Sequence, residues 1–299
     1  VDKYDVDGIE LDMTRNCMFF PRGNDMSGFT AECAPVMTDF IHRIREMLDK
    51  YTEKRGRRLI LSVVVPYSLY RCRMEGLDLP LWAQLGYIDI LCLSTPFIAD
   101  FDRDITDSIK KLPGVQVYAG CDRNVSFEMG GGRVVPMQTY RAMAMNYLRQ
   151  GAEGIYLYNV MSWTMNLSKP MPAQLKLMGG QGETENAPLD YDRTLMNELG
   201  NVETLEFKDK LYMISKRSEC VDHPYSALPV KVPGGGEITL RISIGDDVLM
   251  AQKKNKLKSI LSPPKTEIPF CALFEKFYFL NPAEKKPIST RLCNSRLRT

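Results

Sequence analysis

Between Leu59 and Val65 the chain reads Leu-Ile-Leu-Ser-Val-Val-Val and is then stopped by Pro66. A run this apolar, with no alternation, describes a strand buried on both faces, the signature of a parallel sheet covered by helices. Ile88-Asp89-Ile90-Leu91-Cys92-Leu93 repeats it and ends at Ser94-Thr95-Pro96. Further strands are expected at Asp7–Asp12, Val115–Tyr118 and Gly154–Asn159. Helical spacing lies between them. Phe40, Ile41, Ile44, Met47, Leu48 and Tyr51 predict a helix over Thr38–Arg55, capped by Thr38 or Asp39, and two more are expected at Asp104–Leu112 and Met137–Gln150. Alternating strands and helices give an α/β class, either a doubly wound sheet or part of a (β/α)8 TIM-type barrel. No GxGxxG opens a helix, so the usual dinucleotide evidence is absent. Polar and aromatic residues follow the strand ends at Arg15, Asn16, Tyr67, Ser94, Thr95, Asp122 and Asn159, where barrel sites are built, and this favours the barrel.

The first strand, Asp7-Gly8-Ile9-Glu10-Leu11-Asp12, has a second property. Period-two geometry sends Ile9 and Leu11 to one face and Glu10 and Asp12 to the other. Acids on a strand are costly to bury unless paired or used, so this face is expected to look into a polar mouth or cleft.

After Leu167 the pattern changes. Residues Ser168–Asn186 are rich in Pro, Gly, Met and polar side chains and read as a linker or long loop. A short helix is expected near Asp192–Leu199, followed by short alternating stretches at Leu211–Ser215 and Glu237–Ile244. The organisation expected is a barrel-type region at 1–167, a linker and helix at 168–200, and a small β-sandwich-like domain at 201–299.

Composition removes several classes. The chain has 299 residues, 44% hydrophobic and 25% charged, with no apolar run long enough for a membrane span. It begins without Met or a signal-peptide pattern, as expected of a mature form or fragment. Its net charge of +2 divides unevenly: eleven Lys or Arg against three acids from Ala251 onward give +8, leaving −6 before it. Lys253, Lys254, Lys256 and Lys258 read as a solvated turn or strand edge, and nucleic acid is not an expected partner. Eight cysteines without a CxxC, and only His42 and His223, argue against zinc and against a Ser/His/Asp triad. Cys17 and Cys33, which flank one loop, are expected to be free thiols, with pairing in an oxidising compartment the alternative, and Cys92 a packing residue. Gly130-Gly131-Gly132 has no Lys-Ser/Thr after it and reads as a simple loop.

Several spaced stretches share one resemblance. Tyr4–Arg15 resembles a barrel strand of the glycoside-hydrolase-like family 10 proteins. Met37–Arg45 with the strand Leu61–Pro66, Gly76-Leu77-Asp78 with Trp82 and Asp89, and Tyr140-Arg141-Ala142 leading into Gly151–Asn159 fit the same group, over roughly residues 1–250. The resemblance implies a (β/α)8 barrel followed by a β-rich domain, and hydrolysis of glycosidic bonds in an oligo- or polysaccharide. The strand at Asp7 would be about the fourth of eight, with the first three absent from this chain, and five strands cannot close such a barrel.

Glycoside hydrolysis uses two carboxyl groups flanking the scissile bond. Asp12, at its strand's exit, is the principal candidate. Asp122, after the Val115–Tyr118 strand, is the partner, and Glu10, one layer deeper, is expected to position Asp12 or to pair with Arg15 or another base. Glu153, Asp78 and Asp89 precede their strands and read as structural. Arg15, Asn16, Tyr67, Tyr118, Tyr158 and Asn159 are the expected sugar contacts, with Phe19, Phe20 and Trp163 nearby. No metal or cofactor is expected. Chitinase-like barrels resemble DGxDxDxE in this strand, and the position of their catalytic Glu is Thr14 here, which cannot serve as a general acid. A non-catalytic carbohydrate-binding protein on the same barrel is the alternative. A secreted or periplasmic location follows only from glycan chemistry.

Overall fold

The structure is a computed structural model that describes residues 1, 3–14, 17–21, 30–94, 103–122, 137–158, 194–212, 214–215, 243–253 and 271–272. The chain divides into two compact units. The first holds Val1–Pro96, Asp104–Asp122 and Tyr147–Asn159, and the second holds Phe97–Arg103, Arg123–Asn146 and Val160–Thr299.

The first unit is built on five parallel strands: β1 (Gly8–Asp12), β2 (Ile60–Pro66), β3 (Ile90–Ser94), β4 (Gln116–Cys121) and β5 (Gly154–Leu157). They lie in the sheet in chain order. Along the chain between them run α1 (Ala34–Arg55), α2 (Leu69–Met74), α3 (Leu79–Gln84), α4 (Thr106–Lys111) and α5 (Met137–Arg149), the last of which belongs to the second unit as far as Asn146. A doubly wound sheet needs a reversal of strand order to place helices on both faces. Consecutive order with right-handed crossovers stacks them on one face, so the arrangement is compatible with part of a TIM-like fold.

The strands bury one aliphatic face. Leu61, Val63, Val65, Leu91, Leu93, Ala119 and Cys121 are fully buried. On α1 the buried residues Met37, Ile41, Arg45 and Leu48 form a stripe at helical spacing. This helix starts a turn earlier than its apolar spacing predicts, because Pro35 sits in the first turn, where a missing N–H costs nothing. Thr38, expected as a cap, instead accepts a hydrogen bond from Trp82 Nε1 at 2.9 Å. Gly56 ends the helix in the left-handed conformation, its N–H on Thr52 O. Between β2 and β3 two short helices replace one long crossover: Gly76 turns the chain with positive φ, and Asp78 Oδ1 caps α3 through Leu81 N.

Of the second unit, the described elements include α6 (Thr194–Glu198), α7 (Val202–Leu205), α8 (Val248–Lys253) and one antiparallel pair, β6 (Ile214–Ser215) with β7 (Cys271–Ala272). The helix expected at Asp192–Leu199 is α6. Lys253 closes a helix rather than a turn or strand edge. The stretch 237–242, most of the expected sandwich, and Lys254, Lys256 and Lys258 lie outside the described residues. Among the described residues no helix is long and apolar enough to cross a membrane.

Candidate active site

Opposite the aliphatic face, the register lines up a different set of side chains. Glu10 aligns with Ser62, Asp12 with Val64, Val64 with Cys92, Cys92 with Tyr118, and Tyr118 with Gly154. Alternation places Glu10, Asp12, Ser62, Cys92, Ser94, Tyr118 and Tyr156 on this one face. Its character is acid, hydroxyl, thiol and phenol.

The two acids of β1 are exposed. Asp12 Oδ1 accepts two hydrogen bonds from Thr14, one from its N–H at 2.9 Å and one from its hydroxyl at 2.6 Å. Thr14 is therefore more than a missing acid: it is buried and tethers Asp12 through one oxygen. Glu10 Oε2 accepts from the Ser62 hydroxyl at 2.9 Å. The expected buried ion pair of Glu10 is thus an exposed carboxylate bonded across to β2. Among the described residues, Asp12 Oδ2 and Glu10 Oε1 accept no hydrogen bond.

The Tyr156 phenol on β5 is held well above its ordinary value, first by burial and then by the charges of Glu10 and Asp12 on β1, with Cys92 and Tyr158 adding to it. The Cys92 thiol is likewise pushed up to about 12, by burial first and then by Glu10, opposed by the Ser62 hydroxyl 4.0 Å away. Neighbouring strands crowd each other on this face: a Cβ on Gly154 would meet the Tyr118 ring at 2.7 Å, and one on Gly120 would meet Ser94 Cα at 2.9 Å.

The other expected site residues divide. Asp122 follows β4 directly and is buried, as are Tyr67 after β2 and Tyr158 after β5, while Tyr118 is half-buried on β4 with its ring over Gly154. Arg15, Asn16, Asn159 and Trp163 lie outside the described residues. Phe20 stands against the Gly76 turn, a packing position. His42 stacks on Tyr87 at 4.9 Å. Asp78 and Asp89 are structural: Asp89 takes Arg58 on Oδ1, with Arg45 and Leu61 N–H on Oδ2, and Asp78 takes Arg73 beside its cap bond. Cys17, Cys33, Cys72, Cys92 and Cys121 form no disulfide with one another, and the Cys17 thiol donates to Met13 O and Thr14 O. Among the described residues no group of three or more His, Cys, Asp or Glu is placed to hold a metal ion.

Sequence reasoning missed Tyr156, Ser62 and Cys92 as members of this face. Period-two counting from Tyr158 would have placed Tyr156 with it. Ser62 and Cys92 needed the strand register, which no residue pattern states. No family model matches the chain, and no curated protein matches it.

Proposed function

We propose that this face is concave and is the active face of a glycoside-hydrolase-like enzyme that cleaves glycosidic bonds of an oligo- or polysaccharide by carboxylate acid/base chemistry. The observation that carries the reading is the state of the two acids on β1. Each is exposed, is oriented by hydrogen bonds to one oxygen and, among the described residues, accepts none on the other, at the edge of a face whose hydroxyls Ser62 and Ser94 are buried. An oriented carboxyl with a free oxygen can exchange a proton with a bound substrate or attack it. Asp12 is the principal group, Glu10 supports it one step deeper, and Asp122, at the end of β4, is the partner across the face. Tyr118 and Tyr156 supply ring faces and hydroxyl donors for a pyranose, with Tyr67, Tyr158, Arg15, Asn16 and Asn159 at the strand ends as further contacts.

The same face supports the finer fold reading, five consecutive strands of a (β/α)8 barrel. Such a barrel staggers by one residue per strand, and its inner side chains form layers drawn from alternate strands. Cys92 lies two strands from Glu10 and two residues beyond its row, and Tyr156 repeats that step from Cys92. The field of Glu10 reaches both along this diagonal.

Turnover of a panel of oligosaccharides by the wild-type chain and by Asp12→Asn tests the function. Loss of turnover with retained glycan binding supports the enzyme. Retained binding with no turnover even by the wild type favours a carbohydrate-binding protein, the reading to which the burial of Asp122 lends weight. Neither binding nor turnover would overturn both.

A further inference from the structure

We infer that Ser62 is a positioning residue for Glu10, holding its carboxylate through Oε2 so that Oε1 remains presented to the concave face. The inference rests on the reading of that face as the site. A strand-exposed glutamate has three rotatable side-chain bonds and, left alone, samples many rotamers at a surface. Here one bond from a neighbouring strand removes that freedom, and the geometry fixes which way it runs. An ionised carboxylate only accepts, so at 2.9 Å the Ser62 hydroxyl must donate to it. Ser62 is itself buried and sits on β2, whose backbone pairs with strands on both sides, so the tether is anchored in the most constrained part of the sheet.

Among the described residues its other polar contact is the Cys92 Sγ, 4.0 Å away on β3. With its proton committed to Glu10, the Ser62 oxygen can only accept from that side. The un-ionised Cys92 thiol can offer a weak S–H donor there. The order across the sheet is then thiol on β3, hydroxyl on β2, carboxylate on β1. Asp12 is held differently, by a residue two positions along its own chain. The two acids therefore have independent supports, and Glu10 can be released without disturbing Asp12.

The test reads Glu10 directly in the intact chain, without substrate. In protein labelled with 13C at Glu side-chain carboxyls, the Glu10 resonance is assigned by its loss in Glu10→Gln. At neutral pH it is expected to move by more than its linewidth in Ser62→Ala and to return in Ser62→Thr, which restores the hydroxyl. It is expected to stay in place in Val64→Ala, which removes packing volume from the next inward position of the same strand. If Ser62→Ala does not fold, Ser62→Cys replaces it, with a smaller movement in the same direction. An unmoved resonance in a folded variant lacking the hydroxyl, or an equal movement in Val64→Ala, would overturn the assignment. Where a glycan substrate is found, Ser62→Ala is expected to lower kcat about tenfold with KM within about twofold. Absence of any substrate would count against the hydrolase reading while leaving the resonance result decisive for the tether.

Discussion

Four carboxylates of this protein, two in each unit, are bonded in contrasting ways. In the second unit, Glu198 takes Arg141 on Oε2 at 2.7 Å and Lys208 on Oε1 at 2.6 Å. Asp246 takes Lys210 on Oδ1 at 2.8 Å and the Tyr212 hydroxyl on Oδ2 at 2.9 Å. Both acids are bonded through both oxygens; Glu198 is itself buried, whereas at Asp246 the partners Lys210 and Tyr212 are the buried groups. The Lys210 ammonium is held below its ordinary value by desolvation, which Asp246 opposes, and the Tyr212 phenol is pushed well above its own by burial and then by Asp246. In the first unit Glu10 and Asp12 use one oxygen each. Among the described residues their second oxygens accept no hydrogen bond.

The comparison breaks most sharply at Asp12. Asp12→Asn keeps an acceptor for Thr14 and is expected to lower turnover of any glycan substrate by about 10²- to 10⁴-fold, with stability changed by less than about 0.5 kcal/mol in denaturant unfolding. The reverse pattern is expected in the second unit. Asp246→Ala strands Lys210, whose side chain is 3% exposed, and should cost about 3–5 kcal/mol by chemical denaturation while leaving glycan turnover per folded molecule unchanged. A loss of activity without a loss of stability at Asp246, or the converse at Asp12, would dissolve the distinction.

Smaller effects sharpen the picture of the concave face. Gly154→Ala drives a methyl into the Tyr118 ring and should cost about 1–3 kcal/mol by the same measurement. A flat, uncrowded face would accept the alanine without cost. The thiol at Cys92 predicts a pH effect. Its folded-state value is raised to about 12 from an ordinary 9.0, so the unfolded chain loses this proton first. Its contribution to stability is complete below about pH 9 and declines as pH rises toward 12. Cys92→Ala should flatten that alkaline decline in unfolding free energy, whatever it does to stability at neutral pH.

Much of the first unit was legible in the chain. The unalternated runs at Leu59–Val65 and Ile88–Leu93 announced parallel strands because burial on both faces leaves no polar positions. The alternation of Ile9 and Leu11 with Glu10 and Asp12 announced a polar face. Helix ends were less legible: Pro35 begins α1 before its apolar spacing does, and Gly76 with Pro80 divides one crossover into two helices. The site was legible only strand by strand. Glu10 meets Ser62 from 52 positions away, and Tyr156 on β5 lies in the field of the β1 acids. Thr14 read as a gap in a catalytic pattern because side-chain identity does not reveal that its N–H and hydroxyl both turn back onto Asp12.

The proposed concavity of this face is the central claim, and Tyr156 tests it most directly. In protein containing 3-fluorotyrosine, the Tyr156 19F resonance is assigned by its loss in Tyr156→Phe. If the face is concave, neutralising either acid on β1, by Glu10→Gln or Asp12→Asn, shifts that resonance, while Glu203→Gln in the second unit does not. A Tyr156 resonance unmoved by both β1 variants would mean that the first and fifth strands do not share a face, and the active-site reading would fall with it.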